Sequence, residues 1–159
     1  MTAPDPSRGL TFEAASTALA QDGQPLEKHW PYQPLQPDPA SWQPPQHTGR
    51  IYKRGTLDPG IDLGTIAAHL TAGRPIVLGL VITASFMRCQ SNGLLPALSP
   101  DPERGGHAVL AVGHGHISGA DALLIRNSWG PGWGAEGHAW LTDAYLTKQL
   151  RRAALLDKA

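Results

Sequence analysis

The sequence predicts an α+β fold in which two helices precede a β-rich second half. Apolar residues recur at helical spacing in 11–20 and 61–72, and short apolar runs bounded by turn residues follow from residue 75 onward. The 159 residues also include 15 prolines and 18 glycines, which favours long connections between strands over a helical bundle. This length suits one domain with a substantial core, so we expect 1–159 to form a single domain.

The first fifty residues are predicted to hold one helix and an irregular segment. Residues 1–8 are expected to form a loose leader, and 9–50 a small helical and proline-rich part. The apolar face of the helix begins at Phe12, and the Thr11 hydroxyl is placed to cap the first amides. Proline lacks the donor that a strand ladder needs, so 30–49 should be extended and irregular.

The remaining residues, 51–159, are predicted to form the β-rich part. A helix at 61–72 comes first, because its apolar residues share one face and Gly73 can end it. Residues 88–106, which include several prolines and glycines, are expected to form a loop. The predicted strands are 75–83, 107–113, 122–126 and 137–141, with a last one through 153–156.

Charge and cysteine content exclude several classes of function. The formal net charge is +0 and no basic block stands out, so neither nucleic acid nor an anionic membrane is expected as a partner. No apolar run approaches the roughly 20 residues of a membrane span, and the N-terminus does not resemble a signal peptide. Cys89 is the single cysteine, which excludes a disulfide within the chain, and we expect a reducing, cytoplasmic location.

A histidine and an asparagine on neighbouring predicted strands form the strongest candidate for chemistry. His107 begins the strand 107–113, next to a flexible glycine pair, and Asn127 follows the strand 122–126. Antiparallel pairing of these strands would bring the two side chains within hydrogen-bonding reach. The asparagine amide can then fix one ring nitrogen of the imidazole while the other takes a proton from a thiol. Trp129 is placed to cover this hydrogen bond and keep water away from it.

These residues resemble the C-terminal part of the papain family of cysteine peptidases. The segment from His107 to Gly113 is similar to the family's histidine strand, and Asn127 to Gly137 is similar to its asparagine motif and the following strand. Less specific similarity extends to 73–77, which resembles the strand after the family's third helix, and to 9–32, which resembles the segment after its central helix.

The resemblance implies a fold and a set of roles. The fold would be papain-like, with an antiparallel, barrel-like right-hand half and a reduced helical left-hand half at 9–32. His107 would be the general base and thiolate partner, Asn127 its orienter and Trp129 its shield. The residues expected to meet the substrate are Gly106, Ala108 and Trp133, the last on the leaving-group side.

The sequence departs from the family at the nucleophile. A papain-like cysteine lies near the start of a central helix, far upstream of the histidine, and nothing similar precedes residue 9 here. The oxyanion donors of the same region would be lost with it. Cys89 follows the strand 75–83, where the family has no nucleophile, and is expected to be a half-buried apolar residue. Thr11 is expected to cap a helix and not to replace the thiol.

Other histidines do not point to a metal or nucleotide site. His114 and His116 form a pair after the histidine strand, and His138 lies farther on. Zinc needs three or four ligands, and no cysteine or acidic cluster accompanies these histidines. The glycines near 113–119 fail the spacing of a dinucleotide loop, and a strand follows them instead of a helix. We therefore expect neither a metal nor a cofactor.

Three functions are compatible with the sequence. The first is a peptidase scaffold that lacks its own nucleophile and binds peptides or proteins. The second is an active cysteine peptidase whose Cys-bearing segment comes from an upstream region or from a partner chain. The third is a structural or assembly subunit, including a homo-oligomer, that uses apolar surface left uncovered by the missing half. A further alternative for His107 and Asn127 is that they persist only as a structural hydrogen-bonded pair, since the nucleophile that they would serve is absent.

Overall fold

The structure, a computed structural model, describes residues 9–31, 38, 43–95, 97 and 100–158. Contacts divide these residues into two compact units, one reaching Thr56 and including Asp157 and Lys158, the other running from Leu57 to Leu156. The expected leader and much of the proline-rich segment lie outside the described residues, namely 1–8, 32–37 and 39–42.

The first unit contains helix α1 (Phe12–Gln21) and most of strand β1 (Arg54–Leu57). The Thr11 side chain accepts a hydrogen bond from the Ala14 amide at 3.2 Å, which confirms the predicted cap. The hydroxyls of Ser16 and Thr56 are hydrogen-bonded to each other and so connect α1 with β1. Strand β1 was not predicted, because its four residues lack an alternating apolar pattern.

The second unit is built on a sheet with the strand order β7-β2-β4-β5-β6-β3. Its strands pair antiparallel, except that β3 runs parallel to β6. The described residues therefore confirm the predicted α+β class. The elements of this unit are α2 (Leu63–Thr71), β2 (Ile76–Thr83), α3 (Ala84–Met87), β3 (Leu94–Leu95), β4 (Glu103–Ile117), β5 (Ala120–Arg126), β6 (His138–Thr142), α4 (Asp143–Gln149) and most of β7 (Leu150–Lys158).

One face of the sheet forms the core of this unit. In β2, Ile76, Leu78 and Leu80 are buried, whereas the residues between them are only partly covered. This alternation follows from the pleat, which turns successive side chains to opposite faces. Each buried aliphatic side chain contributes about 1.5–3 kcal/mol relative to an exposed one. The same alternation in β4 turns His107 to the face that also holds Val109.

The structure corrects several predicted boundaries. The prediction of a loop over 88–106 is wrong in part, because β3 lies within it and β4 already begins at Glu103. Helices α3 and α4 were not predicted, since four and seven residues are too short for a helical period to stand out. The last strand begins at Leu150, earlier than predicted. Among the described residues, no helix combines the length and hydropathy needed to cross a membrane.

Candidate active site

His107 lies early in β4, where that strand pairs with β2. Its backbone is opposite Leu80 in the antiparallel register. The preceding Gly105 has a φ of +133°, a conformation that side chains with a Cβ rarely adopt. The glycine pair at 105–106 therefore allows the backbone conformation that leads into this part of β4. His107 itself is only partly buried.

Asn127 follows β5 directly and holds the imidazole of His107. The asparagine Oδ1 lies 2.8 Å from His107 Nε2 and also accepts a hydrogen bond from the Ser128 amide at 2.8 Å. Because a backbone N–H must donate, Ser128 fixes the carboxamide with its oxygen toward the ring. Nε2 is therefore the donor in this hydrogen bond, and in the neutral ring the lone pair lies on Nδ1.

Burial reinforces this arrangement. The Asn127 side chain is only 6% exposed, and its backbone N–H donates to the Gly137 carbonyl oxygen at 2.8 Å. Its Nδ2 is buried without a hydrogen-bond partner among the described residues. A buried, geometrically fixed amide is suited to hold one orientation of an imidazole.

Aromatic rings surround the imidazole on several sides. The Trp129 ring lies 4.7 Å from that of His107, tilted by 36°, and remains 40% exposed. Phe86 approaches His107 edge-on at 5.9 Å and Trp129 at 5.6 Å. Phe86 is fully buried and was not among the predicted site residues. Its contact with His107 links α3 to β4. No pattern in the sequence around Phe86 predicts this contact.

Trp133, which is expected on the leaving-group side of the substrate, is almost entirely buried. Only 7% of this residue is exposed, and its Nε1–H donates to the Phe86 carbonyl oxygen at 2.8 Å. Its ring packs 4.9 Å from that of Phe86 and 6.0 Å from that of Trp129. Trp133 therefore packs on the buried side of the aromatic cluster formed by Phe86, Trp129 and Trp133.

The other two expected substrate contacts lie on exposed backbone. Gly106 and Ala108 flank His107 in β4, opposite Val81 and Gly79 of β2. Both are exposed. Ala108 also borders a groove of about 540 Å³, whose lining is Val77, Ala108, Val109, Leu110, Arg126, Asn127, Ser128 and Gly130.

Cys89 is half-buried beside the hydrophobic core. Its thiol donates to the Gln90 carbonyl oxygen at 3.7 Å, and its own carbonyl accepts from the Gly134 amide at 3.3 Å. Burial raises the pKa of the Cys89 thiol above its ordinary value. Since the thiolate is the nucleophile, this environment disfavours reactivity.

We expect Cys89 in the folded chain to react with iodoacetamide several-fold more slowly than free cysteine at pH 8, because its thiolate fraction is lower. Intact-mass spectrometry over time would give the rate, and the chain unfolded in urea is the control. Equal rates in the folded and unfolded chain would contradict the protected environment.

Three of the histidines outside the site have separate partners. His114 Nε2 lies 2.8 Å from the Thr71 hydroxyl, and His116 lies 2.7 Å from Asp121 at the exposed end of the β4–β5 hairpin. His138 Nδ1 lies 3.0 Å from the Glu136 carbonyl oxygen. In the described part of the chain, no three histidine, cysteine or acidic residues are grouped as metal ligands would be.

Sequence comparisons match the chain to a known family. The family profile described as "Papain family cysteine protease" matches residues 6–152. An uncharacterised peptidase C1-like protein of Acanthamoeba polyphaga mimivirus is 34% identical over 157 residues, which covers 91% of this chain and 50% of that protein. A cathepsin L-like proteinase of Fasciola hepatica is 39% identical over 67 residues, covering 42% of this chain and 20% of the proteinase. The chain thus spans half or less of the length of these relatives.

Solved structures confirm the predicted papain-like fold. Xylellain, a cysteine protease from Xylella fastidiosa, matches with a TM-score of 0.74 and 25% identity over 95% of this chain and 62% of xylellain. A ragweed pollen cysteine protease in its proform matches with a TM-score of 0.72 and 22% identity, over 95% of this chain and 46% of the protease. Because the family profile covers most of the sequence, the chain belongs to the papain family of cysteine proteases.

Proposed function

We propose that this chain provides the general base and its orienting amide for a papain-type cysteine peptidase, and that the 159 residues alone bind peptide without hydrolysing it. The observation that supports this proposal best is the 2.8 Å contact between His107 Nε2 and Asn127 Oδ1. It leaves Nδ1 as the nitrogen that can exchange a proton with a thiol.

The thiolate in this proposal comes from a segment that is not among the 159 residues. Cys89 is the single cysteine of the sequence, and burial raises its thiol pKa. A thiolate brought to Nδ1 of His107 would attack the peptide carbonyl carbon and form a thioester. The imidazolium would protonate the departing amine, and water would then hydrolyse the thioester with His107 as base.

The Asn127→Ala variant is expected to release the imidazole. It removes the acceptor shared by His107 Nε2–H and the Ser128 amide, and each lost partner of a buried group costs about 1–3 kcal/mol. The Nε2–H proton, no longer hydrogen-bonded, should then exchange with water faster, so that its resonance in the ¹⁵N-labelled imidazole broadens or disappears.

Asn92→Ala is a matched control for this variant. The Asn92 Oδ1 also accepts a backbone hydrogen bond, from Leu94 at 3.0 Å, but in an exposed turn. We expect it to leave the Nε2–H resonance of His107 unchanged. An Nε2–H proton that is equally protected from exchange in Asn127→Ala would contradict the orienting role of the asparagine.

A thiol-directed label tests where the nucleophile lies. The purified 159-residue chain should take up no peptidyl epoxide at Cys89. Native protein, captured from its source cells with an antibody against this chain after the same treatment, should carry the label on a cysteine outside this sequence. Labelling of Cys89 would overturn the proposal. Native protein that takes up no label but binds a reversible analogue, the same peptide without its epoxide, would identify a peptide-binding pseudopeptidase instead.

A further inference from the structure

Phe86 connects the imidazole to a short helical turn. It is fully buried, and its ring contacts those of His107, Trp129 and Trp133 at 4.9–5.9 Å. Its carbonyl oxygen also anchors the indole N–H of Trp133. The position of Phe86 therefore limits where the imidazole can lie. Since α3 is only four residues long, its own hydrogen bonds are too few to fix that position.

Asp101 fastens this turn from outside. Its Oδ1 accepts from the Ser85 amide at 3.0 Å, and its Oδ2 accepts from the Ser85 hydroxyl at 2.5 Å. Next to it, the Pro102 carbonyl oxygen accepts from the Ala84 amide at 2.9 Å. Three hydrogen bonds thus tie α3 to the segment that leads into β4 and His107.

A buried chain of hydroxyls continues from Ser85 into the core. The Thr83 hydroxyl lies 3.1 Å from that of Ser85 and 3.3 Å from that of Tyr145, and both Thr83 and Tyr145 are buried. Because the Ser85 hydroxyl donates to the carboxylate, its oxygen is free to accept from Thr83, and Thr83 from Tyr145. Hydroxyl groups that donate one to the next in this way polarise one another toward the negative charge of the Asp101 carboxylate.

The carboxylate is held in its charged form by these contacts. Partial burial alone would raise the pKa of Asp101, but the hydrogen bonds from the Ser85 hydroxyl and amide, the nearby Thr83 hydroxyl and the positive charge of Arg88 outweigh it, so the pKa lies below its ordinary value. At neutral pH the acceptor is therefore fully charged, which makes its hydrogen bonds stronger than those between neutral groups.

We propose that Asp101 is a positioning residue for His107, acting through Ser85 and the ring of Phe86. This inference rests on the proposed role of His107 as a base, but its geometry can be measured without any peptidase activity. Asp101 does not touch the imidazole. It fixes the turn whose aromatic side chain supports the imidazole.

The test compares Asp101→Ala with Asp101→Asn by NMR of the full chain. Asp101→Ala should shift the ring-proton resonances of His107, which feel the ring currents of Phe86 and Trp129. It should also speed the hydrogen exchange of the Trp133 indole N–H roughly tenfold, because lost hydrogen bonds worth about 1.4 kcal/mol change an opening equilibrium by that factor. Asp101→Asn retains an acceptor for the Ser85 amide. Its His107 ring-proton resonances and its Trp133 indole exchange rate, the two signals of this test, should therefore be close to those of the parent chain.

Asp121→Ala is the matched control, since Asp121 is an exposed acid at the far end of the β4–β5 hairpin. It should leave the His107 and Trp133 signals unchanged. If Asp101→Ala does not fold, Ser85→Ala replaces it, because that variant keeps the amide contact and should move both signals less. A variant at Asp101 or Ser85 that lowers stability while leaving both signals unchanged would overturn the positioning role. Thiol labelling tests the proposed function separately.

Discussion

The Phe86→Ala variant is expected to lose about 3–5 kcal/mol of its free energy of unfolding, as large-to-small changes at fully buried aromatic positions do. Phe86 is 0% exposed and belongs to the core cluster. The change removes ring contacts to His107, Trp129 and Trp133 together. Urea unfolding followed by far-UV circular dichroism measures the loss, provided the slope of the transition is unchanged.

Phe86→Leu separates the two contributions of this residue. Leucine fills much of the volume but offers no aromatic edge, so the loss should fall to roughly 1–1.5 kcal/mol. The His107 ring resonances should nevertheless shift in both variants, since both lack the ring current of Phe86. A Phe86→Ala variant as stable as the parent chain would show that the aromatic cluster is not part of the packed core.

The Gly134→Ala variant is expected to lose roughly 2–5 kcal/mol, because two penalties combine at one position. Gly134 has a φ of +59°, and an added Cβ would overlap the backbone carbonyl oxygen of His138. Its amide also donates to the Cys89 carbonyl oxygen. The residue lies in the 127–137 loop, which carries both Asn127 and Trp133, so the strain should also disturb the site. Thermal and urea unfolding measure the stability.

Gly130→Ala isolates the backbone penalty in the same loop. Gly130 has a φ of +82°, but an added Cβ would meet no atom within 4 Å. We expect a loss of only about 1–2 kcal/mol, the cost of a left-handed conformation for a residue with a Cβ. Equal losses in the two variants would mean that the close approach to His138 does not contribute.

Local patterns in the sequence were sufficient to predict the strands that position His107 and Asn127. The predicted helix at 61–72 is α2, with Ile66 fully buried on its inner face. The strands on either side of the β4–β5 turn were predicted because their apolar runs are long enough to show a period. Antiparallel neighbours then bring His107 and Asn127 close together, as the 2.8 Å contact shows. The family resemblance depended on the same residues.

The support of the site could not be predicted in the same way. Phe86, Ser85 and Asp101 lie in a four-residue helix and a connecting segment, where no period exists to detect. Their importance comes from contacts between residues distant in the chain, such as the 62-residue separation of Thr83 and Tyr145. Trp133 is buried against Phe86, and its expected contact on the leaving-group side of the substrate stays a prediction. Which side of a loop tryptophan is covered depends on tertiary packing, which local spacing does not encode.

The β4–β5 hairpin also bears on how early the histidine–asparagine pair forms. Ser118 and Gly119 both have positive φ, at 52° and 81°, as the tightest hairpin turns require. The two partners are only 20 residues apart, and the entropy of closing such a loop grows slowly with its length. Hairpins of this kind form within about 1–10 μs. We therefore expect the imidazole and carboxamide to meet early in folding, because the two residues are close in sequence. Their contact does not depend on the cysteine that the peptidase would use.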